Sequence, residues 1–521
     1  MGIYSIMREG CAAPGREPRV AMIMVDAMCL DFARAHLDEL PTMRRMLDDG
    51  AVAELASSAA QMSASVWPTF ASGEDPGVHG HYYPFQWKAD RMRFRRTSKA
   101  DWIGDFHFEP FWHGLARRGC EAVAFDAGFT LDHSKSPCLE ISNWSYQSSG
   151  AATASDPKTL AEIKRRFGRR PIGKEVPIPK TLRQSRRIRD SMIDAMRRKT
   201  DATLWLMEKK DWRFFIVGYF EIHRAGHNLL VVDGDYGSQA DPDALLDVYK
   251  AQDRELQRLL TRLDDGRTTI ALLALHGMAA NRAQDHFLDE ILARLNAAWL
   301  KERGTRAPRR RKPGVIARLR AHVPYGVQYG LAEALGEDIQ DFVVNRTILG
   351  GLTFQETPAF RLASGGEAYI RFNIKGRERV GFFDPDSPEL ARYREWFEAE
   401  LGKITVNGSA EPLVSRVLDA HRIFPGPRTD RLPDLIVEYA PDAPATVVYS
   451  PTIGEIRAHL ETGRGGNHSP EAFVIVTGPG ARHPAFDSVK DIKHLGRFAE
   501  AILVGASATR HDARACVAAS A

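Results

Sequence analysis

Three runs of apolar residues in this chain each stop at a side chain able to bind a metal ion. Arg19-Val20-Ala21-Met22-Ile23-Met24-Val25 ends in Asp26. Trp212 to Phe220 ends in Glu221-Ile222-His223-Arg224-Ala225-Gly226-His227, and Thr268 to Leu275 ends in His276-Gly277-Met278. Continuous apolar runs of this length read as strands buried on both faces, the way parallel sheets are built. Open α/β sheets place their ligands at the carboxyl ends of such strands. One strand-end histidine is usually structural, but three polar ends converging on one sheet edge point to a site. Between the runs, LPTMRRMLDDGAVAEL has helical spacing, a stop at Gly50 and a return to an apolar strand. This is β-α-β grammar, and it predicts an α/β fold with a central, mostly parallel sheet.

The stretch Gln61 to Tyr83 (QMSASVWPTFASGEDPGVHGHYY) has a different character. Ser63 and Ser65 precede an apolar Trp-Pro-Thr-Phe step, and Ser72 to Gly80 is glycine-rich turn chemistry. The pattern suits a loop that enters a helix and leaves through a tight turn. A hydroxyl at a helix N-terminus lies beside free N–H groups and the positive dipole end, which suits phosphate. It equally suits a serine N-cap on an ordinary connector.

Elsewhere the chain is less informative. Residues 85 to 140 are aromatic and irregular; His107 and His113 fall here and read as structural or rim residues, with no partner at metal-ligand spacing. Residues 157 to 200 are rich in cations and read as a solvated, partly helical insertion or, more sharply, the rim of an anionic-substrate site. A second basic stretch lies within 303 to 345. AYIRFNIKGRERVGFF alternates like a half-buried strand with a turn at Lys375-Gly376, Leu432 to Tyr439 is another strand, and His468 sits in a glycine-rich loop just before a third. The expected organisation is a flexible leader (1–18), a catalytic domain (19–300 and 346–505), basic insertions or a cap (140–200 and 301–345) and a flexible tail (506–521).

A net charge of +4 over 521 residues is too small to imply nucleic-acid or membrane binding. Cys11, Cys29, Cys120, Cys138 and Cys516 show no CxxC spacing and read as reduced thiols. With no secretory h-region and no run long enough to span a bilayer, a cytoplasmic location is expected.

Taken in order, these motifs resemble the alkaline phosphatase superfamily in its type I phosphodiesterase/nucleotide pyrophosphatase branch. They are the strand-end Asp26, the loop from Ser63 to Gly80 with its PGxHG, the segment His223 to His227, His276-Gly277-Met278, and the late glycine-flanked His468. The resemblance implies a three-layer sandwich, with helices flanking the sheet, cap insertions and a bimetal site at the strand ends. It also implies a Ser or Thr oxygen that attacks phosphorus and forms a covalent intermediate. By family spacing that residue is Ser63, four before Trp67, with Ser65 and Thr69 as rivals. The sulfatase branch is disfavoured, because Ser63-Ala64-Ser65-Val66-Trp67 lacks that branch's Pro and Arg.

The chain departs from the family pattern at two positions: His223 stands where an Asp is usual, and Leu275-His276 where an Asp-His pair is usual. The implied metal set is therefore Asp26, Ser63, His223, His227, His276 and His468. His223, His227 and His468 are expected to form a three-imidazole site with an open position, the arrangement of a catalytic zinc-like metal. The second site keeps Asp26, Ser63 and His276 and is expected to be weak or absent, with Glu221 as a substitute acid. Zinc is the expected metal, one or two ions, with manganese or iron as alternatives. His79 and His81 are expected to fix the turn, and Asn373, Arg377 and Asp434 to support the fold. The implied function is metal-dependent hydrolysis of small anionic phosphoric esters, of phosphodiester or nucleotide-pyrophosphate type. The rivals are a transferase or tailoring enzyme on an anionic metabolite, and an inactive metal-binding scaffold.

Overall fold

The computed structural model describes residues 17–98, 101–102, 106, 108–128, 131–146, 151–173, 179–231, 240–304, 337–460 and 464–504, without the side chains of 337–340. His107, nearly all of the leader, the whole tail and most of the 301–345 segment lie outside these residues, as do Cys11 and Cys516.

The three apolar runs form adjacent strands. Arg19–Val25 lies at the centre, parallel to Phe214–Tyr219 on one side and to Thr268–Ala274 on the other. Ala122–Phe125 and Leu139–Ser142 extend the parallel set beyond Phe214–Tyr219, and Thr153–Ala154 closes that edge antiparallel. On the other side Ala472–Thr477 runs antiparallel to Thr268–Ala274, and Ala51–Leu55 pairs antiparallel with it at the far edge. The sheet has eight strands and is flanked by helices, as expected. The reversal of Ala472–Thr477 beside Thr268–Ala274 explains a sequence asymmetry. Asp26, Glu221 and His276 follow their strands, whereas His468 precedes Ala472–Thr477, so all meet at the same edge.

Local chemistry sets the helices. Pro41–Asp49 starts with proline at its first position and has no side-chain N-cap. Its free amides are satisfied instead by Asp253, whose carboxylate accepts from Thr42 N (3.1 Å) and Met43 N (2.7 Å). It stops at Gly50, where a Cβ would lie 2.5 Å from Met46 O. Helix Leu182–Lys209 is capped by the Thr181 side chain on Gln184 N and buries Ile188, Met192, Ala195 and Met196. Those residues join the main sheet's core. The segment 140–200, read from its charge as an insertion, thus contributes an edge of the sheet and a long core helix, while its cations line the outer face. Lys199, on the inner face, ion-pairs with Asp126 at the end of Ala122–Phe125.

The two strands read in 368–383 and 432–439 do not join this sheet. Ala359–Arg361, Ala368–Phe372, Leu435–Tyr439 and Val414–Asp419 make a separate four-stranded antiparallel sheet over its own core, which includes Trp299, Tyr393 and Phe397. Arg377 binds Asp434 through both guanidinium nitrogens (2.6 and 2.7 Å), and Asn373 donates to Phe354 O and Thr357 O, so all three brace this sheet. The loop joining its first two strands, residues 362–367, reaches the edge of the main sheet. Among the described residues no helix is long and apolar enough to cross a membrane.

Candidate active site

Helix Glu221–Leu229 starts directly after Phe214–Tyr219 and is buried along its whole length. The i,i+4 spacing puts His223 and His227 on one face. Gly226 between them allows Met278 to approach, since a Cβ there would lie 2.6 Å from Met278 Cγ. Met278 belongs to Gly277–Ala280, which pairs antiparallel with Gly466–Ser469 and sets Met278 opposite His468. This ribbon brings His276 and His468 together, with ring centroids 4.5 Å apart.

His223 Nε2 lies 3.0 Å from His227 Nε2 and 2.9 Å from His468 Nε2. Their other nitrogens fix the tautomers of two of them. His223 Nδ1 meets Asp26 Oδ2 at 2.5 Å, and His227 Nδ1 meets Gly466 O at 2.9 Å. Both partners only accept, so both Nδ1 atoms carry the proton and the two Nε2 lone pairs face each other. Burial pushes His227 and His468 well below the usual histidine range and lowers His223 against the pull of Asp26, so none is charged to relieve the contact. Neutral imidazoles with converging lone pairs and backing acceptors are the donor set of a divalent cation. The separations are close to the roughly 3.3 Å between ligands of a tetrahedral zinc-like ion. The residues fit a metal.

A second group shares Asp26. His276 Nδ1 donates to Gly277 O (2.9 Å), and its Nε2 faces Asp26 Oδ1 at 3.5 Å; burial opposes charge on the ring, but Asp26 outweighs it and raises the imidazole above its usual range. Burial opposes the charge of Asp26, but His223 and His276 outweigh it and hold the carboxyl well below its usual range. Asp26, His223 and His276 form a possible ligand cluster of their own. Leu275 is buried in the main core and offers no donor except its carbonyl, which accepts from Ser57 Oγ (2.6 Å). Glu221 does not substitute: its carboxylate accepts from Phe220 N (2.9 Å) and Ser145 Oγ (3.3 Å), and burial pushes it up to about 6.

Ser63 opens a single 3-10 turn, Ser63–Ser65, that feeds helix Val66–Ser72. One turn on, Trp67 Nε1 donates to Asp26 Oδ1 (3.2 Å), tying this helix to the central strand. The rival hydroxyls are occupied elsewhere. Ser65 Oγ donates to Met62 O (2.7 Å), and Thr69 Oγ1 contacts His79 Nε2 (3.1 Å) and Ser58 Oγ. His79 Nδ1 accepts from His81 N, and His81 stacks on Trp102. Both histidines hold the turn, whose Gly77 is obligatory because a Cβ would fall 2.0 Å from Phe424 O.

Ser63 Oγ instead donates to Glu367 Oε1 at 2.5 Å, and Ser63 N lies 3.2 Å from the same oxygen. Glu367 Oε2 accepts from Gly365 N (2.9 Å), and the loop packs Gly366 against Asn467, beside His468. Glu367 also acts electrostatically on His276. Sequence reasoning missed this carboxylate. Its only signal is the Ser364-Gly365-Gly366-Glu367 turn before an apolar strand, an arrangement common to many hairpins.

No curated protein sequence matches the chain. Among solved structures, a phosphonoacetate hydrolase from Sinorhizobium meliloti 1021, crystallised with phosphonoformate, is similar with a TM-score of 0.50 and 16% identity, covering 94% of this chain and 96% of that one. Alkaline phosphatase PafA gives 0.49 and 14%, covering 90% and 92%. Murine ectonucleotide pyrophosphatase/phosphodiesterase 5, inactive and in complex with AMP, gives 0.44 and 10%, covering 88% and 87%. The family model for type I phosphodiesterase/nucleotide pyrophosphatase matches residues 20–459. The chain belongs to this type I phosphodiesterase/nucleotide pyrophosphatase family.

Proposed function

We propose that this protein is a metal-dependent hydrolase of small phosphoric esters, of phosphodiester or nucleotide-pyrophosphate type, acting through a covalent intermediate on Ser63. The observation that carries this reading is the meeting of three imidazole Nε2 atoms at the sheet edge where the Ser63 loop is anchored. His223, His227 and His468 would hold one divalent cation, zinc being the expected ion. Asp26 and His276 offer a second, poorer position, because Leu275 contributes no side-chain donor. A bound divalent cation lowers the pKa of an adjacent hydroxyl and offsets charge developing on phosphoryl oxygens.

The chain's own residues supply the rest. Ser63 Oγ bonds to phosphorus as its proton passes to Glu367 Oε1, and the ester oxygen opposite leaves with the P–O electron pair. The proton on Glu367 then returns to the leaving oxygen or to solvent. Water next attacks phosphorus as its proton passes to Glu367, the P–Oγ bond breaks with its electron pair on Ser63 Oγ, and Glu367 returns the proton to that oxygen. Glu367 thus supplies a carboxylate that the strand-end pattern lacks.

The test is turnover on aryl phosphodiesters, aryl phosphomonoesters, a dinucleotide pyrophosphate and phosphonoacetate, with and without chelator. The wild type should cleave a diester or pyrophosphate best, chelator should abolish turnover, and Ser63→Ala should be inactive yet folded. Full activity of Ser63→Ala would overturn the assignment, as would turnover indifferent to chelator.

A further inference from the structure

A second cluster of metal-capable side chains lies apart from the catalytic groups. It sits at the N-terminal end of Leu139–Ser142, the opposite end of the parallel strands from Asp26 and His223. Cys138 and Glu140 are two residues apart, and period-2 alternation turns both to the same face. His113 comes to them from helix Phe111–Arg117 and His133 from the 3-10 turn His133–Lys135. One donor atom each of His113, Cys138 and Glu140 lie within 4.8 Å of one another.

His113 Nε2 lies 3.0 Å from Glu140 Oε2, an ion-pair contact outside ideal hydrogen-bond geometry. The other ring nitrogen, Nδ1, faces Glu109 Oε1 at 3.5 Å, and Glu109 is itself paired with Arg117. A carboxylate behind the far nitrogen leaves the near one free to ligate, an arrangement common behind metal-binding histidines. Glu140 is held in place as well: Trp112 Nε1 donates to its Oε1 (2.7 Å), and His133 Nδ1 lies 3.3 Å from its Oε2.

We propose that His113, Cys138 and Glu140 form a structural site for a borderline-soft divalent cation of the zinc class, with Glu109 and His133 orienting the ligands. One nitrogen, one sulfur and one oxygen donor select such an ion over magnesium or calcium. The site pins helix Phe111–Arg117 to the outer part of the sheet, independently of the catalytic reading.

The test strips the full-length protein with chelator and titrates it with cobalt(II) alone. The catalytic groups contain no cysteine, and a thiolate-to-cobalt charge-transfer band that Cys138→Ser removes is assigned to this cluster rather than to Cys11, Cys29, Cys120 or Cys516. The wild type and His223→Ala should show the band, and Cys138→Ser should lose it while keeping the visible bands of the imidazole site. His113→Gln should weaken cobalt binding at the thiolate site by about tenfold or more, which keeps the proposal testable if Cys138→Ser fails to fold. A saturated wild type without the band, or a band that survives Cys138→Ser, overturns the proposal and leaves a buried Glu140–histidine ion pair.

Discussion

Glu367→Gln isolates the proton-transfer role of the carboxylate from its shape. Glu367 Oε1 accepts from Ser63 Oγ at 2.5 Å and from Ser63 N at 3.2 Å, while Oε2 accepts from Gly365 N at 2.9 Å. A glutamine has one acceptor oxygen, so it satisfies the Ser63 side or the Gly365 side but not both. The lost loop contact costs about 1–3 kcal/mol, little for a chain of this size. The catalytic loss is larger, because an amide cannot take the Ser63 proton. Removing a positioned base costs about 10²–10⁴ in rate, or about 3–5 kcal/mol of barrier. The assay is kcat/KM on aryl diesters with good and poor leaving groups, alongside metal content by elemental mass spectrometry. The expected result is a fall in kcat with metal content unchanged. An unchanged kcat/KM would refute the base role, and a parallel loss of metal would make Glu367 a ligand instead.

Gly226→Ala forces a Cβ to within 2.6 Å of Met278 Cγ, and Met278 is the cross-strand partner of His468. Overpacking of this kind costs about 1–3 kcal/mol, and it should appear as metal affinity lowered by roughly tenfold while the unfolding midpoint moves little. In the antiparallel sheet, burial opposes the charge on Asp434, but Arg377 outweighs it and holds the carboxyl below its usual range. A depressed folded pKa contributes stability that is complete above the unfolded value, near 4, and is lost as pH falls through the folded one. Urea midpoints should therefore drop as pH falls below about 4, and Arg377→Met should flatten that dependence; equal slopes in both proteins would contradict it.

How much of this was legible depended on where the chemistry lay along the chain. The parallel strands announced themselves because both faces are buried, so no polar residue interrupts Val20–Val25 or Ile270–Leu275. Their polar ends then named Asp26, His223, His227 and His276, and His468 stood out in its glycine-rich loop. What spacing could not show was contact between distant elements. Glu367 meets Ser63 across 304 residues, from a hairpin of a different sheet. His113 lacks a ligand neighbour in sequence and finds Cys138 and Glu140 only once a helix packs on an edge strand. The cations of 157–200 masked the i,i+4 apolar face of helix Leu182–Lys209, because a long helix with one buried stripe is still mostly charged by composition.

The central claim is that Ser63 carries the phosphoryl group during turnover. Acid quench of the metal-loaded enzyme under substrate saturation, followed by peptide mass spectrometry, tests it directly. The account predicts a phosphoryl or phosphoester adduct on Ser63, absent from Ser63→Ala and from chelated enzyme. Product formation by quenched samples that carry no adduct, or carry it on Ser65, Thr69 or a histidine, would contradict it.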